Sequence, residues 1–201
     1  MGPRTTREQL LDAAVAVLET EGETAIRVDD LARMVNVAKP SIYHYFGSRE
    51  GLVVAALAEL YLRSLSFERE PLLEAARTAA TREQFVDMFR AVMASFFSDD
   101  GVQRRALRIE VLGAAVSRPE LQAALAEMNR SMVEFLAEFF AVGTERGFVS
   151  LARDPNTMAL WAIGVVLGRH VAEIDPGADL DTWDSLTVDT FVSLLFGEGP
   201  D

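Results

Sequence analysis

Apolar residues recur at intervals of three and four along nearly the whole chain, and strand-like alternation is hard to find, so the pattern predicts an all-α protein. Leu10, Leu11, Ala14, Val17 and Leu18 form the first stripe, which Thr5 or Thr6 can cap and Gly22 can stop, predicting a helix over roughly 6–21. Asp29 to Val35 predicts a short second helix with Leu31, Ala32 and Val35 inward. Asn36 tolerates the left-handed backbone of a sharp turn, and Pro40 suits the first turn of a third helix over about 39–45. Ile42 and Phe46, four apart, then face the core. Gly47-Ser48 breaks that helix, and Ser48 caps a fourth with Leu52, Ala55, Ala56 and Leu60 on one side. Two short helices joined by a turn of three to four residues inside a bundle have helix-turn-helix geometry, in which the second helix enters a DNA major groove by its N-terminal residues.

The later helices are longer. Pro71 opens one segment and Thr81 another, in which Phe85, Phe89, Val92 and Phe96 recur at helical spacing. Gly101 and Pro119 open two more, the second carrying Leu121, Leu125, Met128, Met132, Phe135 and Phe139 as far as a stop at Gly147. Asp154-Pro155 begins a helix that is apolar almost all round from Met158 to Leu167, so both of its sides require cover. That run is about half the roughly 20 residues needed to cross a bilayer, so the second cover is expected to be a partner subunit and no membrane span is expected. Gly164 and Gly168, one turn apart, would let a helix approach closely, beside Trp161 and Val165; on the last helix Val188, Phe191, Val192 and Leu195 form a matching stripe. These eight residues are the expected dimer interface.

Charge sharpens one region. The chain carries a formal net charge of -12, which repels phosphate backbones, and residues 51–201 hold 13 Arg/Lys against 23 Asp/Glu. Residues 31–49 contain Arg33, the sole lysine Lys39, and Arg49, with no acid, and are interleaved with Tyr43, His44 and Tyr45. The positive charge is local, as a small binding face would be. Cysteine is absent, which removes disulfides and thiolate chemistry; the polar start MGPRTTREQL lacks the apolar stretch of a signal peptide, so the cytoplasm is the expected compartment. The two histidines fall in different expected domains, and no GxSxG, GxxxxGK, GxGxxG or HExxH run occurs, so no catalytic residue, metal site or cofactor is expected.

Residues 22–52, GETAIRVDDLARMVNVAKPSIYHYFGSREGL, resemble the DNA-binding domain of the TetR family of bacterial one-component transcriptional regulators, whose loose pattern is helix, turn, K-P/G-S/T-L/I-Y-x-H/Y-F, x-S/N-K/R-E-x-L. RPELQAALAEMN, GRHVAEIDP and the tryptophan-containing last helix also look typical, extending the resemblance over the chain as nine or so helices. It implies a homodimer, each subunit joining a three-helix helix-turn-helix domain, residues 1–50, to a larger helical ligand-binding and dimerisation domain, residues 51–201. It further implies a repressor of a palindromic double-stranded operator, released by a small apolar or amphipathic ligand. Three positions depart from the family pattern: Arg27 and Ala38 stand where capping hydroxyls are common, and Asp29 stands where relatives carry a basic DNA contact, so no base contact is carried onto it.

On the third helix the core consumes Ile42 and Phe46, leaving Lys39, Pro40, Ser41, Tyr43, His44 and Tyr45 on the exposed side or its margins. Lysine reaches a guanine edge or a phosphate, Ser41 donates to phosphate or reads a base, and the tyrosine hydroxyls donate to phosphate. Tyr45 is equally a core-edge aromatic with a wet hydroxyl. Arg27 and Arg49 are expected on phosphate, Arg49 at the start of the fourth helix. Phe89, Met93, Arg108, Met128, Met132, Phe135 and Trp161 either line the ligand pocket or pack as simple core. One of Arg105, Arg108 and Glu110 is either a buried anchor or a surface charge. A second reading remains, a helical small-molecule-binding protein or enzyme whose DNA-binding domain is vestigial, which would bind no operator at any salt.

Overall fold

The computed structural model describes residues 4–65, 69–151 and 153–197. These form ten α-helices and a single 3-10 turn, with no strand among the described residues. The helices are α1 Thr6–Glu21, α2 Val28–Val35, α3 Lys39–Phe46, α4 Arg49–Ser64, α5 Arg69–Thr78, α6 Arg82–Phe97, α7 Asp99–Ala115, α8 Pro119–Glu145, α9 Pro155–Glu173 and α10 Leu180–Phe196, with the 3-10 turn at Glu23–Ala25. No described helix is long and apolar enough to cross a membrane.

Compactness divides the chain into two units, Met1–Ser66 with Glu110–Ala126, and Phe67–Ile109 with Glu127–Asp201. This line differs from a division after residue 50, because α4 buries Leu52, Val53, Ala56 and Leu57 and packs chiefly on α1. In the first unit, α1 begins with a reciprocal cap: Thr5 Oγ1 accepts from Glu8 N at 3.3 Å and Thr5 N donates to Glu8 Oε2 at 2.7 Å. The bond from the Thr5 amide, more than any other influence, holds the Glu8 carboxyl below its usual range. Leu10, Ala14, Ile26, Leu31, Ile42 and Leu52 fill the core, and each large aliphatic side chain so buried contributes about 1.5–3 kcal/mol.

In the second unit an aromatic cluster joins α6, α8 and α10. The Phe85 ring lies 5.0 Å from Phe139 and 6.0 Å from Phe196, and Phe89 lies 6.1 Å from Phe191. Gly143 on α8 permits this packing, since a Cβ there would stand 2.8 Å from Phe85 Cζ and 2.5 Å from Val149 Cγ2. Helices α9 and α10 open alike: Asp154 Oδ1 accepts from Thr157 N, and Asp179 Oδ1 from Thr182 N, each at 3.0 Å.

Of the three polar candidates on α7, Arg105 is wholly buried, Arg108 is buried and Glu110 is exposed. Arg105 Nε donates to Glu173 Oε1 at 2.9 Å and its Nη1 to the Phe96 carbonyl; Arg169 also reaches Glu173, and its Nη2 donates to Asp184 Oδ2 at 2.7 Å. His170 Nδ1 lies 3.0 Å from Glu173 Oε2. Burial pushes the Glu173 carboxyl up, but hydrogen bonds from Arg105, His170 and Arg169 outweigh it and hold the group below the ordinary carboxylate range.

Candidate nucleic-acid interface

Four local devices shape the α2–α3 corner. Asn36 takes the left-handed conformation, φ 55° and ψ 49°, as α2 ends. Its neighbour Val37 donates to the Ala32 carbonyl at 2.9 Å, closing the turn. Pro40 sits in the first turn of α3, where its missing N–H leaves no gap. Gly47, at φ 74°, stops α3, and Ser48 Oγ accepts from Gly51 N at 2.9 Å to start α4. Neither Arg27 nor Ala38 makes a side-chain cap, as their chemistry dictates.

Ile42 is fully buried and fixes α3 to the core. Phe46, expected inside as well, is only half-buried, with the Arg7 guanidinium 5.4 Å from its ring centroid. Lys39, Pro40, Tyr43, His44 and Tyr45 are exposed and Ser41 half-buried, so one side of α3 presents an ammonium, two phenols and an imidazole. Tyr45 is 41% exposed, and its ring meets His44 edge-on at 5.1 Å, which settles its choice between core edge and surface in favour of the surface. Arg27 is exposed at the start of α2.

Two partners were hidden from the sequence. Arg49 Nε donates to the Ile26 carbonyl at 2.9 Å and its Nη2 to the Glu23 carbonyl at 3.0 Å. Two of the guanidinium's five N–H donors are thus engaged by carbonyls after α1, a pairing whose sequence distance no short pattern reveals. Lys39 Nζ lies 2.9 Å from Asp29 Oδ1 and 3.1 Å from Oδ2, so the expected DNA-facing ammonium has a carboxylate beside it. The hydrogen bond to Asp29 raises the lysine above its ordinary value. Opposite charges at the starts of successive short helices were the only available signal.

Residues 10–56 match the bacterial regulatory proteins of the tetR family, and residues 80–183 match the tetracyclin repressor-like C-terminal domain. The chain belongs to the TetR family. It is a DNA-binding transcriptional regulator of the helix-turn-helix kind. Among its relatives, UidR of Escherichia coli strain K12, an HTH-type transcriptional regulator, is 24% identical over 152 residues, covering 76% of this chain and 72% of UidR. MftR of Mycobacterium tuberculosis is 27% identical over 168 residues, covering 83% and 78%. A Saccharomonospora viridis protein solved in complex with choline shares the fold at TM-score 0.63 and 16% identity, covering 93% of this chain and 95% of that one.

In this TetR-family chain, Phe89, Met93, Arg108, Met132 and Phe135 are buried, Met128 is half-buried and Trp161 is 39% exposed. Phe89 packs on α10, Trp161 lies 4.7 Å from Phe191, and the Arg69 guanidinium lies 5.5 Å from the Phe135 ring. An open groove of about 520 Å³ between α6 and α10 is lined by other residues, among them Arg90, Phe97, Asp184 and Val188.

Of the expected partner face, Trp161, Gly164 and Gly168 lie exposed in the protomer. Phe191 and Leu195 are buried in the protomer's own core, and Val165, Val188 and Val192 are half-buried. Also open are Leu160 and Val171 on α9, Ile174 just after it, and Leu186 and Leu194 on α10. A Cβ at Gly164 or Gly168 would meet nothing within 4 Å.

Proposed function

We propose that this regulator is a homodimeric, ligand-released repressor of a palindromic operator, with the DNA-contacting residues within 1–50 and the ligand-binding and dimerisation residues within 51–201. The observation that carries the reading is the free side of α3, where Lys39, Tyr43, His44 and Tyr45 stand exposed on a helix without an acid. Two such helices, related by a two-fold axis and about 34–36 Å apart, occupy successive major grooves. Phenol and serine hydroxyls and Arg27 take phosphates, which position the protein, while the first turn of α3 meets base edges.

Exposed apolar side chains at α9, just after it and on α10 support the dimer: Val171 is 74%, Ile174 71% and Leu186 65% exposed, surface that a lone subunit would leave wet. Gly164 and Gly168 leave room on that face for a partner helix. The choline complex of the Saccharomonospora relative supports a small molecule as effector, held among Phe89, Met93, Arg108, Met128, Met132, Phe135 and Trp161. A ligand releases the operator by binding better to a state whose recognition helices stand at another spacing. No chemistry is performed in this scheme, and the protein works in the cytoplasm, where its operator is.

Selection from a random duplex pool tests it. The reading expects an inverted repeat with half-sites about one helical turn apart. Recovery of no sequence over the starting pool at low salt would contradict it.

A further inference from the structure

We propose that Asp29 and Lys39 act as one unit that reads a single G·C base pair in each operator half-site, Lys39 on the guanine and Asp29 on the cytosine. The inference rests on the DNA-binding reading above and adds to it the residue pair that sets sequence preference.

Lys39 is the first residue of α3 and Asp29 lies in the first turn of α2. Their charged ends touch, at 2.9 and 3.1 Å, and their side chains are 47% and 69% exposed. Exposed pairs of this kind add little to stability, so either end is free to be re-partnered. Asp30, by contrast, pairs with Arg33 on its own helix and leaves Asp29 to face α3. A carboxylate beside a DNA-facing helix is repelled by every phosphate and weakens binding to any sequence unless a base compensates it.

The major groove offers a carboxylate one kind of complement, an exocyclic amine. Lysine seeks the opposite, the O6 and N7 acceptors of guanine. In a G·C pair the guanine O6 and cytosine N4 are themselves joined by an N–H···O bond of about 2.9 Å. The ammonium and carboxylate of Lys39 and Asp29 are therefore held at the spacing of the two groups they would read. An A·T pair also sets an amine beside a carbonyl, but there the adenine amine neighbours the N7 acceptor, which repels a carboxylate, and the thymine O4 neighbours a methyl group rather than a second acceptor. At G·C the lysine gains N7 and the carboxylate meets no acceptor beside N4. Charge and spacing thus select G·C.

The test uses the duplex recovered by selection with the wild-type protein, changed one symmetric base-pair position at a time, with binding followed by fluorescence anisotropy at fixed salt for wild type, Asp29→Ala and Asp29→Asn. Wild type should lose roughly 5- to 150-fold at one G·C position when it becomes A·T. Asp29→Ala should shrink that ratio severalfold, leaving only the part Lys39 supplies at the guanine, and leave the ratios at other positions intact. Asp29→Asn, whose amide pairs with adenine N6 and N7, should shift the same position toward T·A, with adenine in place of the cytosine. A uniform change in affinity for every duplex, in either direction, with the base preference unaltered, would overturn the proposal and make Asp29 a mere electrostatic neighbour of Lys39. Failure of the DNA-binding reading looks different: wild type would then prefer no duplex over random competitor.

Discussion

Arg118 Nε donates to Glu50 Oε1 at 2.7 Å, tying the turn between α7 and α8 to the first turn of α4. Its Nη2 reaches Glu23 Oε1 at 2.5 Å, so one guanidinium joins the loop after α1 to the helix after α3. Hydrogen bonding to Glu50, ahead of the contribution from Glu23, raises the arginine above its ordinary value. Both carboxylates are partly in water, so Arg118→Ala should cost no more than about 1 kcal/mol, read as a small drop in urea midpoint at unchanged slope. A loss several times larger would mean the bridge organises more of the first unit than its exposure indicates.

Arg49 and Lys39 should separate cleanly. Arg49→Met strands the Ile26 and Glu23 carbonyls and should destabilise by about 1–3 kcal/mol. Lys39→Ala removes only an exposed pair and should leave the urea midpoint unchanged while weakening operator binding. Equal destabilisation by both changes would place Lys39 in the fold rather than on its surface.

The apolar face of α9 and α10 makes its own prediction. Leu186→Glu with Val171→Glu alters two well-exposed side chains, so helix content by circular dichroism should be unchanged while sedimentation shifts from dimer to monomer. A double variant that remains dimeric would put the interface elsewhere.

Acid should loosen the second unit. Because the folded Glu173 carboxyl lies below its unfolded value of about 4.3, its contribution is present above that pH and is lost as pH falls through the lower, folded value. Glu173→Gln leaves the buried Arg105 without its counter-charge and should cost about 3–5 kcal/mol at neutral pH, and it should flatten the acid limb of the stability profile. Wild-type-like unfolding of this variant across pH 3–7 would show that the cluster is not charged as drawn.

Much of the fold is legible because it is written locally. Asn36, Pro40 and Gly47-Ser48 each impose backbone chemistry on their own neighbours, and the structure places the α2–α3 corner where those residues require it. What the sequence conceals is pairing across distance. Arg49 is drawn to carbonyls at Glu23 and Ile26, and Asp29 to Lys39, through contacts that exist only once α2 and α3 have turned. Periodicity likewise finds a stripe at Val188, Phe191, Val192 and Leu195 without saying what covers it; Phe89 and Trp161 of the same protomer meet Phe191, and the neighbouring Leu186 and Leu194 are left outside.

The central claim is that a short acid-free helix face binds DNA despite a net charge of -12. Titrating the selected two-fold symmetric duplex with wild type and Lys39→Ala between 50 and 200 mM salt tests it most directly. With about six to ten phosphate contacts per dimer, wild-type affinity should fall by about 10³–10⁵ over that range, and Lys39→Ala should bind more weakly at every salt. Binding that ignores salt, or a Lys39→Ala protein indistinguishable from wild type, would contradict the account.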